Sequence, residues 1–126
     1  MPSVCDWGGA KVPAGRKGVS IRPIVEKGDA AAPGQLYIVS ETAFTETGGG
    51  TVGWMVRTAD YKYVLYNMGL YREQLFDMKS DRGEMRNLAV EQKYRDVVKQ
   101  HRALLEEWMK NHPVNGKTPD LRYIPE

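Results

Sequence analysis

Apolar and polar positions along the chain follow a short-period pattern in the middle and a helical pattern after it. Leu36–Glu41 (LYIVSE), Val52–Thr58 (VGWMVRT), Tyr61–Asn67 (YKYVLYN) and Gln74–Met78 (QLFDM) are short runs rich in aromatic and β-branched residues. Turn formers bound them, and each predicts a strand. Ala59-Asp60 and Met68–Arg72 supply turns between the later runs. Strands this close in sequence pair antiparallel, because parallel pairs need long crossovers. The pattern predicts a four-stranded antiparallel meander.

Glu91–Lys110 changes period. Tyr94, Val97, Val98, His101, Leu104, Leu105, Trp108 and Met109 recur at i, i+3, i+4 and i+7, and good helix formers fill the positions between. Glu91→Arg95 and Glu106→Lys110 are favourably oriented i, i+4 pairs. The helix stops before His112-Pro113, because the residue before proline is pushed out of the α region. The fold class is therefore α+β: a four-stranded antiparallel sheet with one long C-terminal amphipathic helix packed on one face. The third strand adds a complication. Tyr61, Tyr63 and Leu65 share one face and Lys62, Val64 and Tyr66 the other, so both are largely apolar. A sheet with one wet face alternates more strictly. Something is expected to cover each face.

The chain ends differ from this middle. Residues 1–34 are punctuated by glycine and proline, leaving room for a turn or two of helix near Ser3–Trp7 and again near Ser20–Glu26. Pro23 fits the first turn of the second piece, where its missing N–H costs nothing. Asp29–Gly34 (DAAAPG) reads as a linker. The compact domain spans 35–112, and residues 113–126 form a tail that wraps the surface or frays. In the connection Ser80–Ala89, Asp81 and Gly83 are turn residues and Asn87 caps a short helical turn.

Composition removes several classes of function. Eighteen Lys and Arg against sixteen Asp and Glu leave a net charge of +2, too balanced for a nucleic-acid partner. No apolar run approaches the roughly 18 residues that cross a bilayer, and the first residues lack a charged-then-apolar leader pattern. One cysteine excludes an internal disulfide, and two histidines cannot complete a Cys/His zinc cage.

Candidate chemistry is sparse. Cys5 as a nucleophile needs a base or an electropositive helix end, and reads better as a small buried hydrophobe. His101, on the flank of the apolar stripe, is either a general base or a core-edge histidine with a hydrogen-bonded ring, and no carboxylate stands at suitable spacing. His112 suits the negative end of the helix dipole. Gly48–Gly50 precedes a strand and lacks the Lys-Ser/Thr of a phosphate loop, so it reads as a flexible hairpin loop. Arg57 and Lys62 sit on adjacent strands, where they either meet an anionic ligand or lay their stems over aromatic neighbours.

The order of motifs is more telling. Val56-Arg57-Thr58, Tyr61-Lys62-Tyr63, Leu75-Phe76-Asp77-Met78 and then Asp81 through Ala89, leading into an amphipathic helix, resemble the C-terminal subdomain of the sulfatase family. Arg82 replaces that family's usual proline. Upstream, Pro2, Asp6, Gly9, Val12, Pro13, Gly18, Ser20, Ile21, Pro23 and Ile24 fit the stretch that closes the family's catalytic domain. The resemblance implies a metal-dependent sulfuric-ester hydrolase. Its calcium and its formylglycine, made from the cysteine or serine of C/S-x-P/A-x-R, belong to a catalytic domain absent from this segment. Cys5 is followed by Asp6, Trp7, Gly8 and Gly9, without that motif's arginine.

The resemblance thus implies the tail of a sulfatase, inactive alone, with no catalytic residue, metal ligand or cofactor in this chain. It would buttress the catalytic domain and line the substrate mouth through loop Thr42–Thr51, Arg57 and Lys62. The cover for the second sheet face would be the missing catalytic domain, residues 1–28 folding back, or a second copy of the chain. The alternative is a free-standing module that binds a protein through that face. A small enzyme built on His101 and Cys5 is the remaining reading.

Overall fold

The computed structural model describes residues 1–16, 18–28, 36–44 and 50–113. The expected linker 29–34, most of the triple-glycine loop and the tail beyond Pro113 lie outside the described residues. The chain divides into two compact units, Met1–Gln35 and Leu36–Glu126.

In the first unit, α1 (Pro2–Trp7) and α2 (Arg22–Lys27) both carry proline in the first turn, where the ring's fixed φ suits a helix start. Neither helix buries a residue. Polar contacts hold them instead. The Ser20 hydroxyl donates to Asp6 Oδ2 at 2.7 Å, and the Arg22 guanidinium donates to the Asp6 carbonyl at 2.9 Å. Ser3 Oγ accepts the Ile21 N–H at 3.1 Å, and Arg22 pairs with Glu26 at 2.7 Å. Val4, Trp7, Val19, Ile21 and Val25 remain exposed. Six-residue helices are marginal by themselves, and among the described residues this unit has no buried apolar side chain to offset that.

The second unit is the α+β domain. Strands β1 (Ile38–Phe44), β2 (Thr51–Arg57), β3 (Tyr61–Tyr66) and β4 (Glu73–Asp77) form one antiparallel sheet in the order β1-β2-β3-β4. Helix α3 (Arg95–Asn111) follows. The meander is the expected one: β2, β3 and β4 lie within one residue of their expected bounds, and β1 moves further. Strand β1 was expected over 36–41, but it starts at Ile38 and runs to Phe44 because Thr42, Ala43 and Phe44 pair with Gly53, Val52 and Thr51. Their composition reads as loop, yet an edge strand tolerates polar side chains on its open side.

The helix begins later than its periodicity suggests. Leu88–Val90 and Gln92–Tyr94 are single 3-10 turns. Glu91 between them is extended, at φ −97° and ψ 127°, so the α-helical ladder starts only at Arg95. The helix ends at Asn111, with His112 as its C-cap.

Register explains the core. Trp54 lies opposite Leu65, Val56 opposite Tyr63, and Tyr63 opposite Leu75, which puts all five on one face. They pack with Val98, Leu105 and Met109 of α3 and with Leu88. The far face carries Ile38, Ser40, Met55, Arg57, Lys62, Val64, Tyr66, Gln74 and Phe76 in the same register. It is mixed rather than wholly apolar, although Val64 and Phe76 are each only 7% exposed.

Candidate functional site

On the far face, Ser40, Thr42, Gly53, Met55, Lys62, Val64 and Tyr66 line a depression of about 320 Å³. Gly53 shapes its floor. The Tyr66 ring lies so close over its cross-strand partner that a Cβ at position 53 would stand 2.8 Å from the ring carbons. A larger residue there would displace the aromatic wall.

The two candidate anion-binding cations meet here, because Arg57 and Lys62 are direct register partners. The chain already occupies both. One Arg57 nitrogen donates to the carbonyls of Thr58, Ala59 (3.1 Å) and Tyr61 (3.4 Å), clamping the β2–β3 turn. Lys62 Nζ pairs with Glu84 Oε2 at 2.6 Å. Glu84 holds a φ of +56°, a left-handed conformation uncommon outside glycine. Its turn is braced by Asp81, whose carboxylate accepts the Met85 and Arg86 N–H groups at 3.0 and 2.9 Å. The half-exposed Lys62 ammonium is thus presented on a fixed counter-charge beside the depression.

His101 is buried in the helix–sheet core, with edge contacts to Tyr61 and a tilted contact to Tyr63. The Val97 carbonyl, 2.8 Å from Nδ1, can only accept, so that nitrogen carries the proton. Nε2 then accepts from the Thr58 hydroxyl at 3.2 Å. Burial lowers the pKa of His101, against the smaller opposing effect of its bond to Val97. The ring is a neutral bridge between α3 and the β2–β3 turn, with both nitrogens engaged. Cys5 is half-buried in the first unit. His112 stacks on Trp108 at 4.6 Å and 9°, while its Nδ1 donates to the Trp108 carbonyl at 2.8 Å.

Two features escape the sequence patterns. Glu73, on the core face of β4, accepts the Tyr63 hydroxyl at 2.6 Å and two Arg102 nitrogens at 2.6 and 2.5 Å. Burial opposes the Glu73 charge, but Arg102 and Tyr63 outweigh it and hold the carboxyl below its ordinary value. Burial, followed by the bond to Glu73, drives the Tyr63 phenol well above its ordinary value. An inward tyrosine needing a hydroxyl partner and an arginine beside the apolar stripe of a helix were the available signals. The second is the part of Asn87 beyond its expected role as cap of the Leu88–Val90 turn, which the structure bears out. Its Oδ1 accepts the Leu75 and Ala89 N–H groups at 3.0 Å each, and its Nδ2 donates to the Glu73 carbonyl at 3.1 Å. One side-chain amide thereby serves both the outer edge of β4 and the following 3-10 turn.

Among the described residues no group of three or more His, Cys, Asp or Glu side chains converges to hold a metal ion.

A family model described as N-sulphoglucosamine sulphohydrolase, C-terminal, matches residues 1–111. A Δ4,5-hexuronate-2-O-sulfatase of Bacteroides thetaiotaomicron is 39% identical over 109 residues, covering 86% of this chain and 22% of the relative. Arylsulfatase K of Danio rerio is 32% identical over 91 residues, covering 70% of this chain and 17% of that protein. Among solved structures, a 2-O GAG sulfatase superposes with a TM-score of 0.76 at 38% identity, over 87% of this chain and 23% of that one. The chain thus spans only about a fifth of the length of the curated relatives it matches. The motif order and the α+β meander agree with these matches: the chain belongs to the sulfatase family, as its C-terminal domain.

Proposed function

We propose that this chain works as the C-terminal part of a sulfuric-ester hydrolase acting on a sulfated sugar, and that it is inactive alone. The observation that carries this reading is the 39% identity to the hexuronate-2-O-sulfatase across 86% of the chain. The absence of C/S-x-P/A-x-R from the 126 residues supports placing the nucleophile, and with it the metal, in a separate catalytic domain. That domain is also the partner for the apolar groups left open to solvent. Val4, Trp7, Val19, Ile21 and Val25 of the first unit have no core of their own, and exposed apolar groups of this kind mark an interface.

The far face of the sheet is the second contact, with Ile38, Met55 and Tyr66 beside the Lys62–Glu84 pair. Of the two cations, Lys62 is the one able to serve an anionic sugar, because its ion pair is part-exposed and exchangeable. Arg57 acts mainly as the clamp of its own turn.

The test is sulfate release from a 2-O-sulfated unsaturated uronate disaccharide, measured for this chain alone and with a sulfatase catalytic domain supplied separately. The expected result is no release by the chain alone, association with the catalytic domain, and a higher rate in the complex. Turnover by the chain alone would overturn the reading. A stable homodimer that excludes the catalytic domain would instead assign the far face to a second copy.

A further inference from the structure

The Thr58 hydroxyl stands at a fork. It has one proton to give and two acceptors at equal distance, His101 Nε2 at 3.2 Å and the Tyr61 carbonyl at 3.2 Å. It also accepts the Tyr61 N–H at 3.2 Å. With the His101 proton on Nδ1, held by the Val97 carbonyl at 2.8 Å, Nε2 can only accept, so the hydroxyl proton goes to the histidine. A second proton on the ring turns Nε2 into a donor. The hydroxyl oxygen then accepts from it, and its own proton has the Tyr61 carbonyl within reach. No heavy atom has to move.

The reversal is felt beyond Thr58. A carbonyl oxygen has two lone pairs, and one on Tyr61 is taken by the Thr58 N–H at 2.9 Å. The other is contested by the Thr58 hydroxyl at 3.2 Å and by an Arg57 Nη1 at 3.4 Å. While His101 is neutral the hydroxyl is turned away, and Arg57 holds that position. Once the hydroxyl arrives, the longer bond is the one lost, because hydrogen bonds are weak at such lengths. Arg57 keeps the Thr58 and Ala59 carbonyls. A chain of hydrogen bonds thus connects a histidine on the helix side of the sheet to a cation on its far face.

The surroundings leave the proton on His101 as the governing variable. Tyr61 and Tyr63 of β3 face the ring, and Tyr94 meets Tyr61 edge-on from the preceding 3-10 turn. The Tyr63 hydroxyl is engaged by Glu73, whose charge is answered by Arg102. On the β2–β3 turn the charges are Arg57 and Asp60, the latter paired with Lys79 at 2.7 Å. The neighbouring turns of α3 present Val97, Val98, Leu104 and Leu105 at i±3 and i±4, all uncharged. Burial opposes the charged ring more than the Val97 bond favours it, so proton uptake needs a pH below the ordinary histidine value of 6.5.

We propose that His101, Thr58 and Tyr61 form a proton-operated hydrogen-bond switch, in which protonation of His101 reverses its bond to Thr58 and detaches Arg57 from the Tyr61 carbonyl. That carbonyl is held by arginine in neutral solution and by threonine in acid.

The test is a pH titration of the isotopically labelled 126-residue chain, followed by NMR at the His101 ring and the Arg57 guanidinium, with circular dichroism at each pH. In neutral solution the ring should carry its proton on Nδ1. As the pH falls, the His101 and Arg57 signals should shift with one shared midpoint below 6.5 while the circular dichroism stays unchanged. Thr58→Ser keeps the hydroxyl and should preserve the Arg57 response. Thr58→Val lacks it and should abolish that response while His101 still titrates. His101→Gln should abolish it too, which separates the switch from His112 and from the carboxylates. A proton on Nε2 in neutral solution or an Arg57 signal that does not follow His101 would overturn the assignment. So would a full Arg57 response in Thr58→Val or His101→Gln, or loss of the helical signal at the His101 midpoint. If Thr58→Val does not fold, the tautomer, the shared midpoint and His101→Gln decide the matter.

Discussion

Replacing Glu73 by glutamine isolates what its charge contributes to the helix–sheet contact. The variant keeps the shape and an oxygen that can still accept from Tyr63 Oη. It places an amide N–H₂ where the carboxylate now accepts the 2.5 Å hydrogen bond from Arg102 Nη2, and it removes the charge that strengthens the 2.6 Å bond from Arg102 Nε. Hydrogen bonds to charged groups contribute about 1.5–3 kcal/mol, and breaking a fully buried pair costs about 3–5 kcal/mol. Arg102 and Glu73 keep 22% and 18% side-chain exposure, so the released guanidinium can turn partly to water. The expected loss is therefore about 2 kcal/mol near neutral pH, the lower part of that range. For a domain this small it lowers the melting temperature by about 10 °C.

The pH dependence supplies the control. Glu73 has a depressed pKa in the folded state, so its contribution is complete above the ordinary glutamate value of 4.5 and fades as the pH falls through the folded value. Thermal melts by circular dichroism should show a gap between parent and Glu73→Gln at pH 7 that closes in acid. A gap below about 0.5 kcal/mol at pH 7, the size of an ordinary surface substitution, would refute the reasoning. So would a gap that persists unchanged at low pH.

Other perturbations probe separate layers of the fold. Leu105→Ala, at a fully buried position against the sheet, should cost about 3 kcal/mol by urea unfolding, in the range of cavity-forming substitutions. Gly53→Ala puts a methyl against the Tyr66 ring and should cost about 1–3 kcal/mol, with a changed Tyr66 environment in NMR spectra. His101 is kept neutral by burial, so the unfolded chain binds its proton more readily and stability falls as pH drops below the ordinary value of 6.5. His101→Gln should flatten that part of the stability–pH profile, whatever it does to absolute stability.

The parts of this structure with a period were legible in the sequence. Runs of aromatic and β-branched residues between turn formers picked out the four strands, their closeness in sequence implied the antiparallel order, and the 3.6-residue spacing from Tyr94 to Met109 picked out the side chains that pack against the sheet. Boundaries were less legible. Thr42–Phe44 pair only because β2 offers a ladder beside them, and Glu91 is extended although its neighbours favour helix. The Tyr63–Glu73–Arg102 cluster is tied by hydrogen bonds between residues 10 and 29 positions apart, and no local window spans the second. For Arg57 and Lys62, adjacency was legible and engagement was not. Whether a cation meets a ligand or its own backbone depends on the turn's carbonyl geometry and on Glu84, which lies 22 residues from Lys62.

Asn87 has a consequence for how the domain behaves in a crowded solution. A sheet margin with open N–H and C=O groups is a template on which another polypeptide can grow, the route to filaments. By occupying the Leu75 N–H and the Glu73 carbonyl, this carboxamide caps one of the two margins from within. Conversion of Asn87 to aspartate during ageing would remove the N–H₂ donor and place a negative charge against that carbonyl. The Leu75 N–H would keep its acceptor, but the Glu73 carbonyl would be left open as an attachment point at the β4 margin.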